Sequence, residues 1–133
     1  MHEYSAGSIV YRNKNNADNL YIFESEIDLL SYLTLFPKKA KNSTFLSMNG
    51  LKKQTVLSFI IDYFRVNYDV YKNIYLCVDN DEAGLNFIKT MKDSYEQQLK
   101  GTDKVLKFSI DIPEKRDNEV KKDWNDIAVS FND

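Results

Sequence analysis

Five consecutive residues, Ile74-Tyr75-Leu76-Cys77-Val78, are apolar or aromatic without a break, and an acidic turn, Asp79-Asn80-Asp81-Glu82-Ala83-Gly84, follows at once. A strand sends alternate side chains to opposite faces, so a strand that is apolar throughout must be covered on both. A parallel sheet sandwiched between helices meets that condition. Leu20-Tyr21-Ile22-Phe23 is a second run of this kind, and Thr44 to Met48 is a third, closed by Asn49-Gly50.

The segments between these runs carry helical periodicity. Glu26 to Phe36 is one helix, with Ile27, Leu30 and Leu33, or Tyr32 and Phe36, along its inner line. Ser25 caps its start and Pro37 stops it. Lys53 to Val66 is the second, with Val56, Leu57, Ile60, Ile61 and Phe64 in one stripe. Glu82 to Leu99 is the third, lined by Leu85, Ile88 and Met91, or Lys92 and Tyr95, and ended by Gly101. Val105 to Ile110 reads as an edge strand, and Asp111 to Lys122 as a charged loop carrying Pro113. A last helix starts at about Asp123, its cap, and holds Trp124, Ile127, Ala128 and Phe131. Ser8 to Arg12 adds a strand ahead of the turn-rich loop Asn13 to Asn19. Strands alternating with helices predict an α/β fold: a mostly parallel sheet of four to five strands with helices on both faces.

Composition narrows the function. A chain of 133 residues makes one domain, and 43% hydrophobic with 14% aromatic residues excludes wholesale disorder. One cysteine, Cys77, excludes an internal disulfide and a cysteine-rich zinc module. One histidine, His2, argues against histidine-based catalysis. No apolar run approaches the length of about twenty that spans a bilayer, and Met1 to Ser8 is too polar and short for a signal peptide, so a cytoplasmic location is the expectation. With 18 basic and 20 acidic residues the chain is less basic than proteins that hold a long duplex alone. Such a balance can hide a basic face or reflect a cluster of carboxylates that needs a divalent cation, and the motifs favour the second.

Ligands of open parallel sheets bind beyond the carboxyl ends of the strands. Glu24 stands at one such end, Asp79 and Asp81 at another, and Asp28 lies one helical turn after Glu24. If their strands are neighbours, these carboxylates converge. They would then either stay protonated or be neutralised by a cation. Oxygen-only ligands select hard ions, so Mg2+ or Mn2+ is the expected cofactor, as one ion or as two about 4 Å apart. Asp79-Asn80 also fits an ordinary turn and cap, but turn chemistry asks for no glutamate at position 24. Gly84, inside the first turn of a helix, costs about 1 kcal/mol against alanine. It is explained if the backbone there approaches a neighbouring strand or a phosphate.

Glu24-Ser25-Glu26-Ile27-Asp28 after an apolar strand, followed by Val78-Asp79-Asn80-Asp81-Glu82-Ala83-Gly84, resembles the Toprim domain of bacterial primases, topoisomerases, recombination-repair proteins and some nucleases. The primase-like branch has Asp-x-Asp-x-x-Gly as its second motif, matched here in full. Lys122-Asp123-Trp124-Asn125-Asp126 after Pro113 resembles the ending of such domains in plasmid, phage and conjugative-element proteins. The resemblance spans about Asp18 to Phe131 and implies a Toprim/Rossmann-like fold. It implies Glu24 as general acid/base or metal ligand and Asp79 and Asp81 as ligands. Asp28 would be an outer carboxylate or serve a second ion. Asp123 and Asp126 would line the same crevice, or cap a helix and meet solvent.

Lys52, Lys53, Lys115, Arg116, Lys121 and Lys122 sit in loops on the side of this site, where they would hold a phosphate backbone or form an ordinary charged surface. Tyr21, Phe23, Phe59, Phe64 and Phe108 fall on core spacings, Trp124 anchors the last helix, and Cys77 is inert inside its strand. Tyr68, Tyr71 and Tyr75 are no topoisomerase nucleophiles, since that chemistry draws its tyrosine from another domain. The resemblance implies metal-dependent nucleotidyl transfer on DNA or RNA in a mobile element, with nucleotides as further ligands. A Toprim-type nuclease, or a non-catalytic domain that binds nucleic acid or a partner, are the alternatives. The cysteines and basic template-binding region of full primases are missing, so the single domain 1–133 is expected to be a fragment of a longer protein, with a small stand-alone member as the alternative.

Overall fold

The two-sided apolar strands β2 (Asn19–Phe23) and β4 (Asn73–Leu76) lie side by side at the centre of the sheet, where both of their faces are covered. The structure is a computed structural model that describes residues 9–12, 16–99 and 101–131. The sheet runs β1–β3–β2–β4–β7, with β1 (Ile9–Arg12) and β3 (Ser43–Ser47) on one side and β7 (Ser109–Ile110) on the other edge. β3, β2, β4 and β7 are mutually parallel, and β1 runs antiparallel to β3. Ser8 and residues 13–15, part of the expected first strand and loop, lie outside the described residues.

Strand alternation divides the core in two. Leu20, Ile22, Leu46 and Leu76 face α2 (Lys53–Asn67) and α3 (Glu82–Tyr95), packing on Val56, Phe59, Ile60, Phe87, Ile88 and Met91. Tyr21, Phe23, Phe45 and Cys77 face α1 (Glu26–Leu35) and α4 (Trp124–Phe131), packing on Leu29, Tyr32 and Trp124. This is an α/β fold with helices on both faces. Its strand order sets up a switch point: the chain leaves β2 through α1 toward β3 and leaves β4 through α3 on the opposite face. The crevice between those two departures is where open α/β sheets bind ligands.

The inner faces of three helices differ from the periodicity reading. α1 buries Asp28, Leu29, Ser31 and Tyr32, while Ile27 and Leu30 are more than half exposed. α2 buries Thr55, Val56, Phe59 and Ile60, and leaves Ile61 outside. α3 buries Gly84, Phe87, Ile88 and Met91, and leaves Leu85 outside.

Near the C-terminal end two expected elements are recast. α3 stops at Tyr95 rather than Leu99, because Glu96 and Lys92 are drawn to the strand that follows. Glu96 Oε2 accepts the Phe108 N–H at 2.8 Å, and Lys92 Nζ donates to the Phe108 carbonyl at 2.8 Å. The expected strand Val105 to Ile110 therefore divides. β6 (Val105–Leu106) pairs with β5 (Gln97–Gln98) in a small antiparallel ribbon, and β7 joins the main sheet. Gly101, at φ +79°, sits in the turn of that ribbon and does not cap α3. Among the described residues no helix is long and apolar enough to cross a membrane.

Candidate metal centre

Asp79 lies just past the hydrogen-bonded end of β4, where the Cys77 N–H still donates to the Ile22 carbonyl of β2. Its side chain is buried, 6% exposed, and its Oδ1 has no hydrogen-bond partner. A buried, unpartnered carboxylate oxygen costs free energy unless something positive meets it. Two more carboxylates converge on it. One oxygen each from Asp28, Asp79 and Asp123 lie within 4.8 Å of one another.

Local structure explains how each arrives. Ser25 caps α1, accepting the Asp28 N–H at 3.2 Å and donating its hydroxyl to Asp28 Oδ2 at 3.0 Å. Asp28 is thereby held on the buried face of α1, 4% exposed. Its Oδ1 accepts the Asn125 N–H at 3.1 Å, and Ser31 Oγ donates to Asn125 Oδ1 at 3.3 Å, so α4 is tied to α1. Asp123 sits at the start of α4, where the Asp126 N–H donates to its Oδ1 at 2.7 Å and its own N–H donates to Asp126 Oδ2 at 3.0 Å. That reciprocal pair is a capping box closed by an aspartate.

Glu24 stands beside this group. The Asp79 N–H points at Glu24 Oε2 at 3.5 Å, and the Glu24 carbonyl accepts the Gly50 N–H at 2.7 Å. Burial, with Asp81 and Asp28 nearby, raises the Glu24 carboxyl above its ordinary range. Burial, Glu24 and Asp28 push Asp79 up to about 8. Burial likewise raises Asp123. Without a cation, then, Asp79 holds a proton at neutral pH. An all-oxygen set with one orphaned buried oxygen fits a hard divalent ion, which would displace that proton.

A model of the Toprim-like family matches residues 21–128, a span that contains all of these carboxylates. The chain belongs to the Toprim-like family. Toprim domains bind divalent metal ions and act on nucleic acid. A Bacillus anthracis protein named as uncharacterized protein pXO2-78 is 38% identical over 108 residues, which are 81% of this chain. The match takes up 31% of that protein, so this chain spans about a third of the relative's length. No solved structure matches the chain significantly.

The remaining candidates of the Toprim sequence motifs take distinct places. Asp81 is the N-cap of α3, and its Oδ1 accepts the Gly84 N–H at 2.7 Å. Gly84 approaches backbone: a Cβ there would lie 2.0 Å from the Asp79 carbonyl oxygen. Asp126 is exposed and turned to the Asp123 backbone. Lys52 and Lys53 open α2, just after the loop that hydrogen-bonds the Glu24 carbonyl. Lys115 and Arg116 are exposed on the loop before α4, where Lys115 Nζ donates to the Val120 carbonyl at 3.4 Å. Lys122 pairs with Glu119 at 2.6 Å. Its neighbour Lys121 reaches the carboxylates instead, 3.7 Å from Asp79 Oδ2 and 4.0 Å from Asp123 Oδ2.

Sequence reasoning grouped Lys121 with its neighbours as a phosphate-facing lysine, without placing it at the carboxylates, and missed the backbone of Asn125. The first depends on which of two adjacent lysines faces the crevice. An isolated antiparallel bridge between Asn80 and Lys122 decides it, since adjacent side chains on extended backbone point opposite ways. The second is a main-chain group, which no residue pattern reveals.

Proposed function

We propose that this domain is the metal-binding module of a nucleotidyl-transfer enzyme of the primase-like kind, acting on nucleic acid in a mobile genetic element. The observation that carries the reading is buried Asp79, its Oδ1 unpartnered, grouped with the carboxylates of Asp28 and Asp123 at the sheet's switch point. Asp28, Asp79 and Asp123 would hold Mg2+ or Mn2+, with Glu24 and the Asp81 Oδ2 at the margin. Bound there, such an ion supplies Lewis acidity to a phosphate oxygen and acidifies a bound hydroxyl or water.

The chain's own residues have separate tasks. Glu24, its carboxyl raised by burial, can accept a proton from an attacking hydroxyl or return one to a leaving oxygen. Asp81 holds the start of α3 through the Gly84 N–H, and Gly84 lets that helix close on the Asp79 carbonyl, which fixes the direction of the Asp79 side chain. Ser25 and the Asn125 N–H fix the two oxygens of Asp28. Lys52 and Lys53 at the rim suit a phosphate backbone.

Two features favour nucleotidyl transfer in this setting: the Asp79-x-Asp81-x-x-Gly84 motif of the primase-like branch, and the plasmid name pXO2 carried by the Bacillus anthracis relative. That relative's greater length supports a module that works inside a longer chain. The test has two stages. Calorimetric titration of the metal-free domain with MnCl2 should show binding that Asp79→Asn abolishes, and no binding at millimolar Mn2+ would refute the metal reading. In a second assay, labelled triphosphates are incubated with single-stranded template, Mn2+ and the longest chain available. Dinucleotide synthesis supports nucleotidyl transfer, and cleavage of the template in its place identifies a nuclease.

A further inference from the structure

Lys121 sits in an unusual position for an ion-pairing lysine. Its ammonium is 3.7 Å from Asp79 Oδ2 and 4.0 Å from Asp123 Oδ2, too far from either for a direct hydrogen bond. It hovers between two of the three clustered carboxylates and leaves Asp79 Oδ1 without a partner. One positive charge thus partly offsets a cluster that it does not satisfy. The backbone of the next residue is pinned, because the Asn80 N–H donates to the Lys122 carbonyl at 2.7 Å and the Lys122 N–H returns to the Asn80 carbonyl at 3.2 Å. The Lys121 side chain is 55% exposed and carries a flexible four-carbon stem, so the ammonium can leave without the backbone moving.

We propose that Lys121 is a resident cation of the metal-free centre, displaced when a divalent ion binds and thereby freed to hold a phosphate of the nucleic-acid substrate beside that ion. The inference rests on the metal reading of the Asp28–Asp79–Asp123 cluster. An ammonium and a divalent ion cannot both lie between the same two carboxylates without strong repulsion. With its own side chain half-exposed and no direct hydrogen bond to either carboxylate, the Lys121 ammonium exchanges readily although Asp79 is buried. Once displaced, the ammonium stays tethered at the rim by the Asn80 bridge, within reach of the crevice. Lys122 is the internal comparison: it has the same charge and is adjacent in sequence, but it faces Glu119 at 2.6 Å.

The two halves of the proposal have opposite signs, which a purely structural lysine would not produce. Calorimetric titration of the metal-free chain with MnCl2 should show Lys121→Met binding Mn2+ about five- to tenfold more tightly than the unaltered protein, since a weak competing ion pair has gone. Lys122→Met should stay within about twofold. In saturating Mn2+, fluorescence anisotropy with a labelled single-stranded oligothymidylate should show Lys121→Met binding more weakly, with its salt dependence shallower by about one ion. Unchanged or weaker Mn2+ binding by Lys121→Met, while the unaltered protein binds Mn2+, would overturn this inference and leave the metal centre standing. Tighter Mn2+ binding with unchanged oligonucleotide affinity would also overturn it, by removing the phosphate half. Absence of Mn2+ binding in both proteins would overturn the inference together with the centre.

Discussion

Gly84 and Ser25 show how single residues hold the carboxylates in place. A Cβ at Gly84 would overlap the Asp79 carbonyl oxygen at 2.0 Å, and that oxygen belongs to backbone that cannot step aside. Gly84→Ala should therefore destabilise the domain by about 3 kcal/mol in urea unfolding despite alanine's better helix propensity. A gain in stability would mean that α3 does not approach the strand end so closely. Ser25 caps α1 and donates to Asp28 Oδ2 with the same hydroxyl. Ser25→Ala should cost about 1 kcal/mol by the same measurement and also weaken Mn2+ binding, because Asp28 loses an orienting partner. A stability loss with unaltered Mn2+ affinity would reduce Ser25 to a cap.

Among the elements, α4 matters most to the centre, because it carries Asp123 across to α1 and the end of β4. It is a short helix that buries Trp124, whose ring meets Tyr32 edge-on at 4.9 Å and Phe36 at 5.9 Å. Trp124→Ala should cost about 3–5 kcal/mol. It should lower Mn2+ affinity at least tenfold where the domain stays folded, with Trp124→Phe restoring most of both; equal Mn2+ affinity in the alanine variant would remove α4 from the centre. Much of this layer was legible in sequence. Two-sided apolar strands identify a covered parallel sheet, and Ser25, Pro37 and Asp123 mark helix limits. What escaped was decided by partners distant in sequence. Glu96 and Lys92 continue the helical pattern of α3, yet both bond to the Phe108 backbone, so the helix ends early and the next strand splits. Asp28 and Ser31 look like the polar side of α1 but face inward, because Asn125 of α4 satisfies both. The carboxylates themselves could be picked out from sequence. Their grouping could not: one oxygen each of Asp28, Asp79 and Asp123 lie within 4.8 Å of one another, and Asp81 turns to cap its helix.

For the molecule as a whole, the cluster links stability to pH. Asp79 is raised to about 8 in the folded chain, against about 3.9 when unfolded, and Glu24 and Asp123 are raised as well. Between these limits the folded state binds more protons than the unfolded one, so metal-free stability should fall as pH rises from about 4 to 8. Thermal melts in chelator should show this decline, and Asp79→Asn should flatten it and melt higher than the parent at pH 8. A parent whose melting temperature rises across that range would contradict the assignment. Added Mn2+ should stabilise most at the alkaline end, where it no longer competes with protons.

The central claim is that side chains from the starts of α1 and α4 and from the end of β4 together bind one hard divalent ion. Anomalous diffraction at the manganese edge, from crystals grown with Mn2+, tests it most directly. The account predicts a peak within about 2.3 Å of an Asp79 carboxylate oxygen, with Asp28 or Asp123 also in its coordination sphere and the Lys121 ammonium moved away. A fully formed crevice with no peak, or a peak bound only by carboxylates elsewhere on the surface, would contradict it.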